Sequence, residues 1–384
     1  MTVAGRERKQ EQLVNQQIAL SAQDITQAEI DAVVAVLRSE RLSLGPRLGE
    51  FEDTFRQRFG VKHAVCCSSG TSGLHVCWRA LGLEPGDEVI TTPFSFIASA
   101  NSIMFEGGRP VFVDIDPRTW QIDAGQIAEA ITPRTKALLP VDIFGNLPEW
   151  DAIWPIARKH GLRVLEDSCE ALGATYRGRP AGTLGEAGVF AFYPNKQITT
   201  GEGGMVVTND DQIAFLVRSL CNQGRDPDAG WLAHARLGYN YRLTDIQAAL
   251  GTIQMRRLDE ILAKRERVAR MYVERLADEP RLSLMHVPPH VQISWFVFVV
   301  RLSDEYGREQ RDAIMNQLRE RGIGCNNYFT PIHLQPFYVE RFGYRRGDFP
   351  ITEALAERTI ALPFHNHLSE QDVDYVVRTL RGLL

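Results

Sequence analysis

The 384-residue chain is predicted to be an α/β protein, with a mixed, mainly parallel central sheet followed by a smaller α+β C-terminal domain. Three patterns predict this. Short apolar runs at 63–67, 88–92, 110–115, 136–141 and 163–167 alternate with helical segments such as 97–105 and 149–160, the rhythm of parallel strands with helices on both faces. Two further runs, 188–193 and 204–208, have no helix between them and are expected as antiparallel neighbours. Segment 244–277 reads as one very long helix or two joined ones, about 50 Å at the helical rise, and beyond it the pattern changes.

Taken in order, residues 26–40 form a helix with Ile30, Val33, Val34 and Leu37 on one face. Asp24 and Thr26 are its candidate caps. Leu44-Gly45-Pro46 is a break. Phe51, Phe55 and Phe59 then mark a second helix face that Gly60 ends. After the alternating region and the long helix come a strand at 295–301, a helix at 308–321 and a last helix at 371–383. The chain is therefore divided into a large domain over 1–250 and a small one over 251–384, with the N-terminal segment able to pack on the smaller.

Composition excludes several classes. Hydrophobic residues make up 44% and charged residues 24%, as in ordinary globular proteins. The net charge of −5 leaves no basic surplus for nucleic acid. Local pairs such as Arg256-Arg257 and Arg345-Arg346 read as solvated faces. There is no apolar run long enough for a spanning helix, and residues 1–17 are polar, without the apolar core of a signal peptide. Cys66, Cys67, Cys77, Cys169, Cys221 and Cys325 make no C-x-x-C pair. They are expected as reduced thiols of a cytoplasmic protein, with no metal site.

The chemistry centres on Lys196. It follows the apolar run Val189-Phe190-Ala191-Phe192-Tyr193 and precedes Gly201-Glu202-Gly203-Gly204. A lysine delivered by a buried strand into a glycine-rich turn is poorly placed for a solvated charge and well placed for a Schiff base. Upstream, Asp167 closes the run Arg163-Val164-Leu165-Glu166-Asp167. A helix N-cap is one reading of it; pairing with the pyridinium nitrogen of pyridoxal 5'-phosphate (PLP) is the other, favoured by the context of Lys196. The segment Ser68-Ser69-Gly70-Thr71-Ser72-Gly73 follows a strand and opens a helix, where backbone N–H groups favour a phosphate. Alone it reads as a capped turn. It is not a Walker motif, since no lysine follows suitably, nor a nucleophile elbow, since Leu74 stands where glycine is required. Phe96, in Pro93-Phe94-Ser95-Phe96 after a strand, is placed either to stack on the ring or to join the core.

The blocks Ser69-Gly70-Thr71-Ser72, Glu166-Asp167, Phe192-Tyr193-Pro194-Asn195-Lys196, Gly201-Glu202-Gly203-Gly204 and Gly238-Tyr239-Asn240-Tyr241-Arg242 occur in this order. Together they resemble the DegT/DnrJ/EryC1/StrS family of PLP-dependent sugar-nucleotide aminotransferases. The likeness runs from about Ile18 to the C-terminus and includes His333-Leu334-Gln335-Pro336 and Leu368-Ser369-Glu370. The resemblance implies the aspartate-aminotransferase fold (PLP fold type I) and a homodimer with shared sites. It implies Lys196 as the Schiff-base lysine and Asp167 on the pyridine nitrogen. Gly70, Thr71 and Ser72 would hold the phosphate, Phe96 would cover the ring, and Asn240 would reach the partner's phosphate. Two positions depart from the family's commoner pattern. Ala191 replaces a serine that bonds the phosphate, and Glu170 replaces a glutamine near the ring's phenolic oxygen. A carboxylate there would repel a phenolate unless protonated or turned away; a second acid near the substrate is the other reading.

The implied reaction moves an amino group from an amino acid, glutamate by resemblance, to a nucleotide-linked keto sugar, the cofactor passing through pyridoxamine 5'-phosphate (PMP). Freed Lys196 would shuttle the proton. Ser294-Trp295-Phe296-Val297 is similar to members acting at C4 rather than C3. Trp295 is open between the sugar pocket and the core. His333 is expected to face substrate. Arg225 and Arg242 are open between the diphosphate and surface ion pairs. Arg358 could serve as a carboxylate clamp, though its run looks like an exposed helix side. His365 and His367 read as structural, or by the resemblance as lying near the substrate, rather than as a metal pair. The competing functions are a sugar dehydratase, whose relatives carry histidine at the position of Lys196, another PLP enzyme on the same fold, and a PLP-binding regulator without activity.

Overall fold

The computed structural model describes residues 17–226, 230 and 232–384. The polar N-terminal segment up to residue 16 lies outside the described residues. The large sheet has seven strands: β1 (His63–Cys67), β2 (Glu88–Thr91), β3 (Arg109–Phe112), β4 (Thr135–Leu138), β5 (Arg163–Asp167), β8 (Ala187–Ala191) and β9 (Gly204–Thr208). Two short strands between them, β6 (Thr175–Tyr176) and β7 (Arg179–Pro180), pair antiparallel in a separate small sheet. The order across the large sheet is β1-β9-β8-β5-β4-β2-β3. Pairing is parallel from β8 through β5, β4 and β2 to β3, and antiparallel where β9 lies between β8 and β1. The two helix-less strands are thus antiparallel neighbours, as their spacing predicts.

The strands are apolar on both sides because helices cover both faces. One face is closed by Phe51, Phe55 and Phe59 of helix Pro46–Phe59, which pack against Phe190 and Phe192. Gly60 ends that helix in the left-handed region, φ 63°. The parallel order puts the carboxyl ends of β5 and β8 side by side, with Asp167 paired in register with Val189. That is where an open α/β sheet offers a crevice.

Segment 244–277 is two helices, Asp245–Arg256 and Leu258–Leu276, broken at Arg257. Beyond them a three-stranded antiparallel sheet joins β10 (Leu282–Leu284), β12 (Phe298–Leu302) and β13 (Thr359–Leu362), while β11 (Val291–Gln292) extends the small sheet of β6 and β7. The strand expected at 295–301 begins only at Phe298. Helices Arg308–Glu320 and Glu370–Leu383 cover this sheet, and Ile18 joins their core through a bridge to Ile323.

Two expectations are overturned near the N-terminus. Helix Gln27–Leu37 has its capping box, with Thr26 N–H donating to Glu29. Its predicted apolar face is not the buried one, since Ile30 and Leu37 are 47% and 56% exposed while Glu29 and Val36 are buried. The cause is a buried ion network. Arg257 donates to both Asp24 and Glu29, Lys264 to Asp24, and Gln254 to Glu29. Unpaired, these acids could not be buried; paired and hydrogen-bonded, they set which way the helix turns. Arg257 is therefore an anchor between segments and not a solvated face.

Candidate active site

Lys196 lies in the turn after β8, where its N–H donates to Tyr193 O at 2.9 Å. Its side chain is 12% exposed and opens into a cavity of about 470 Å³ at the carboxyl ends of the strands. Nζ stands 3.9 Å from the centre of the Phe296 ring and 3.4 Å from Glu170 Oε1. From behind, the buried Arg265 donates to the Lys196 carbonyl at 2.9 Å, and Gln197 donates to the Glu170 carbonyl at 2.6 Å. The lysine is thus held by its backbone while its amine faces the cavity.

Asp167 opens into the same cavity from β5. Ser99 Oγ donates to its Oδ2 at 2.7 Å, and Cys169 N–H donates to Oδ1 at 3.2 Å. Burial and then the nearby Asp167 push the Cys169 thiol well above its ordinary range, which disfavours the thiolate. Tyr328 also lines the cavity and is pushed up to about 12, first by burial and then by Glu170, so it stays a phenol.

The helix Gly70–Ala80 starts at the cavity with Ser69 as N-cap. A helix start leaves its first N–H groups without partners inside the helix, and their dipole favours an anion. Gly70 is required for space here, since an added Cβ would lie 2.7 Å from Ala191 Cβ and 2.8 Å from Cys169 Sγ. Gly204 backs onto the same cap, and a Cβ there would meet Ser69 O at 2.5 Å. The glycine-rich turn therefore brings two backbones together rather than merely reversing the chain. Phe96, 60% exposed, forms one lip of the cavity.

Of the expected site residues, Gly70, Thr71, Phe96, Asp167, Glu170 and Lys196 converge on this cavity. Several do not. Ser72 is buried, and its hydroxyl donates to Ser69 O at 2.8 Å and accepts from Ser69 N–H, so it serves the cap instead of a phosphate. His333 is fully buried against Phe349 and bonded to Glu353 at 3.0 Å, away from the cavity. Trp295, open between pocket and core, packs on Phe298 in the C-terminal core, and its neighbour Phe296 lines the cavity. Arg242 donates to Asn222 and, with Arg225, lines a second cavity of about 410 Å³. Arg358 donates to Ala354 O rather than facing a ligand. Asn240 is exposed and outside its own chain's cavity. Glu170 is turned toward Lys196. Sequence reasoning missed Ser99, Phe296, Tyr328 and Phe329; only Ser99, four residues after Ser95 near a helix start, carried a local signal. Among the described residues no group of three or more His, Cys, Asp or Glu is placed to hold a metal ion, and no helix is long and apolar enough to cross a membrane.

These residues fit PLP. A buried amine, a strand-end carboxylate, an aromatic lip and a helix start surround one space, as an aldehyde, a ring nitrogen, a ring face and a phosphate demand. The class is that of PLP-dependent aminotransferases of fold type I. The chain belongs to the DegT/DnrJ/EryC1/StrS aminotransferase family, whose description matches residues 23–381. It is 43% identical over 346 residues to the GDP-perosamine synthase of Caulobacter vibrioides, covering 89% of this chain and 91% of that one. It superposes with TM-score 0.91 on Helicobacter pylori PseC, an aminotransferase involved in the biosynthesis of pseudoaminic acid, at 30% identity over 96% of this chain and 99% of that one. A Streptococcus pneumoniae protein solved in PMP and PLP forms matches with TM-scores of 0.92 and 0.91, at 29% identity over 96% of this chain and 98% of that one.

Proposed function

We propose that the protein moves an amino group from an amino acid, L-glutamate in this reading, to C4 of a nucleotide-linked keto sugar, with the cofactor held covalently by Lys196. The observation that carries this is the convergence of the Lys196 amine and the Asp167 carboxylate on one aromatic-walled cavity. The sugar acceptor draws support from the relatives, one of which is named for a GDP-linked product. C4 rests on the Ser294-Trp295-Phe296-Val297 run, whose Phe296 faces the cavity.

When bound, PLP supplies an electrophilic carbon and a ring that accepts electrons. Asp167, anchored by Ser99, holds the proton on the ring nitrogen. Gly70 and Thr71 offer backbone N–H groups to the phosphate. Lys196 Nζ, once freed, is the base that moves a proton at the reacting carbons. Phe96, Phe296 and Tyr328 wall the space against water.

We place the site at a homodimer interface. Ile25, Ile30, Leu37, Leu42 and Leu44 are exposed in the single chain, and a partner subunit would cover them. Among the described residues lining the cavity Lys196 is the only cation, and a phosphate and a donor carboxylate call for more. Asn240, exposed and outside its own cavity, suits a reach into the partner's. The free, mostly buried thiols accord with a cytoplasmic setting.

The test is a half-reaction. The protein is loaded with PMP and offered a panel of keto-sugar nucleotides, GDP-linked 4-keto sugars first. Return of the PLP spectrum identifies the acceptor. Return with keto acids alone would make it an amino-acid transaminase.

A further inference from the structure

Glu170 is the one acid beside the reacting amine that the transaminase reading leaves without a task. Its Oε1 lies 3.4 Å from Lys196 Nζ, with both side chains nearly buried. Its Oε2 accepts the Phe144 N–H at 2.9 Å. Phe144 presents that N–H from the left-handed region, φ 58° and ψ 20°, which a bulky side chain rarely adopts. Its ring is held there by Phe94, Phe329 and Tyr328. The backbones are tied as well, since Gln197, next to the lysine, donates to the Glu170 carbonyl. A strained loop thus fixes one carboxyl oxygen and leaves the other on the amine. The amine also stands over the face of Phe296, 3.9 Å from the ring centre.

We propose that Glu170 is the proton partner of Lys196, taking the proton from Nζ when the lysine must be a neutral amine and returning it when the ammonium is restored. The exchange balances without any co-reactant. An Nζ–H bond breaks and an Oε1–H bond forms, the ammonium becomes an amine and the carboxylate an acid. The proposal rests on the reading of Lys196 as the reacting amine. The groups facing Glu170 are Lys196, Asp167, Cys169, Tyr328 and the Phe144 N–H. Burial raises its carboxyl pKa and Asp167 raises it further, while Lys196 and the Phe144 N–H act the other way. The net rise brings the acid form nearer neutral pH than in an ordinary glutamate, which is what an exchange partner needs. Asp167, fixed by Ser99 and the Cys169 N–H, is left to the ring nitrogen.

Glu170→Gln keeps shape and an acceptor for Phe144 but cannot take up a proton. In the full chain freed of cofactor, Lys196 is labelled with acetic anhydride over a pH series and the modified peptide is quantified by mass spectrometry. The half-labelling pH is expected to fall by about one pH unit in the variant, because an adjacent anion that favours the ammonium is gone. Glu170→Asp, which keeps the charge but retracts it, should fall between. With cofactor bound, the pH dependence of the visible band should move the same way, and kcat should fall about 100-fold with KM changed roughly two-fold or less. Coincident labelling profiles, or an unchanged kcat, would overturn the proposal. Its failure is distinguishable from that of the transaminase reading, which fails instead if Lys196→Ala keeps the visible band and the activity.

Discussion

Replacing Arg265 by methionine should slow the reaction strongly even where the variant still folds. Arg265 is 4% exposed and makes no ion pair among the described residues. Its guanidinium donates to Lys196 O at 2.9 Å and Phe296 O at 3.1 Å, and at 3.4 Å to Trp295 O. Burial holds its pKa down from 12.5 to about 10. A drop of that size corresponds to roughly 3 kcal/mol, at about 1.4 kcal/mol per pH unit, spent on keeping the charge inside. Methionine removes that penalty. It also strands those three carbonyls, at about 1–3 kcal/mol each. The relief offsets only part of that loss, so stability should fall by roughly 0–6 kcal/mol. The position of the amine has no such compensation. Arg265 fixes the backbone of both Lys196 and Phe296, the ring beneath Nζ, and a displacement of about 1 Å costs on the order of 100-fold in rate. Urea unfolding of the full chain gives the first quantity. Single-turnover conversion of the bound cofactor with glutamate gives the second. A folded variant with a wild-type rate would refute the reasoning.

Three further outcomes follow from the geometry. His365 is held down to about 4 from 6.5, first by burial and then by His367 and Arg265; the unfolded chain therefore takes up its proton first as pH falls, so its contribution is complete above about 6.5 and lost toward about 4. Thermal unfolding should weaken across that window, and His365→Gln should flatten the decline; an equally steep decline in the variant would speak against it. Gly145→Ala combines φ 83° with a Cβ 1.7 Å from Ser294 O, so it should cost at least about 1–3 kcal/mol in strain alone, read as a lower urea midpoint; an unchanged midpoint contradicts this. Ser99→Ala leaves an oxygen of Asp167 without its donor and should cost about 1.5–3 kcal/mol, with Ser99→Thr recovering part of it if the hydroxyl is what counts.

The sheet was legible because its cause is local. Apolar runs punctuated by helices can bury themselves only between helices, and the missing helix between 188–193 and 204–208 marks the antiparallel pair. Asp167 and Gly70 were legible because one ends a strand and the other begins a helix, and Lys196 because it follows a buried strand into a glycine-rich turn; such places line crevices. Phe296, Tyr328 and Phe329 were not, since nothing in a local pattern says which later loop returns to the strand ends. His333 was expected at the substrate because its loop resembles a substrate-facing one, whereas the chain buries it with Glu353 as its partner. Arg265 hid in a charged run, although it shares the spacing of the buried Ile261, Val268 and Tyr272. The exposed face of helix Gln27–Leu37 shows the reverse failure: apolar periodicity finds a surface to be covered, but the buried pairing of Glu29 with Arg257 decides which side the chain itself covers.

The most direct measurement is to treat the PLP-loaded protein with borohydride, digest it, and locate the reduced cofactor by peptide mass spectrometry. The adduct should sit on Lys196 and be absent from Lys196→Ala. An adduct on a different lysine, or a PLP-loaded protein that yields none, would contradict the account at its root.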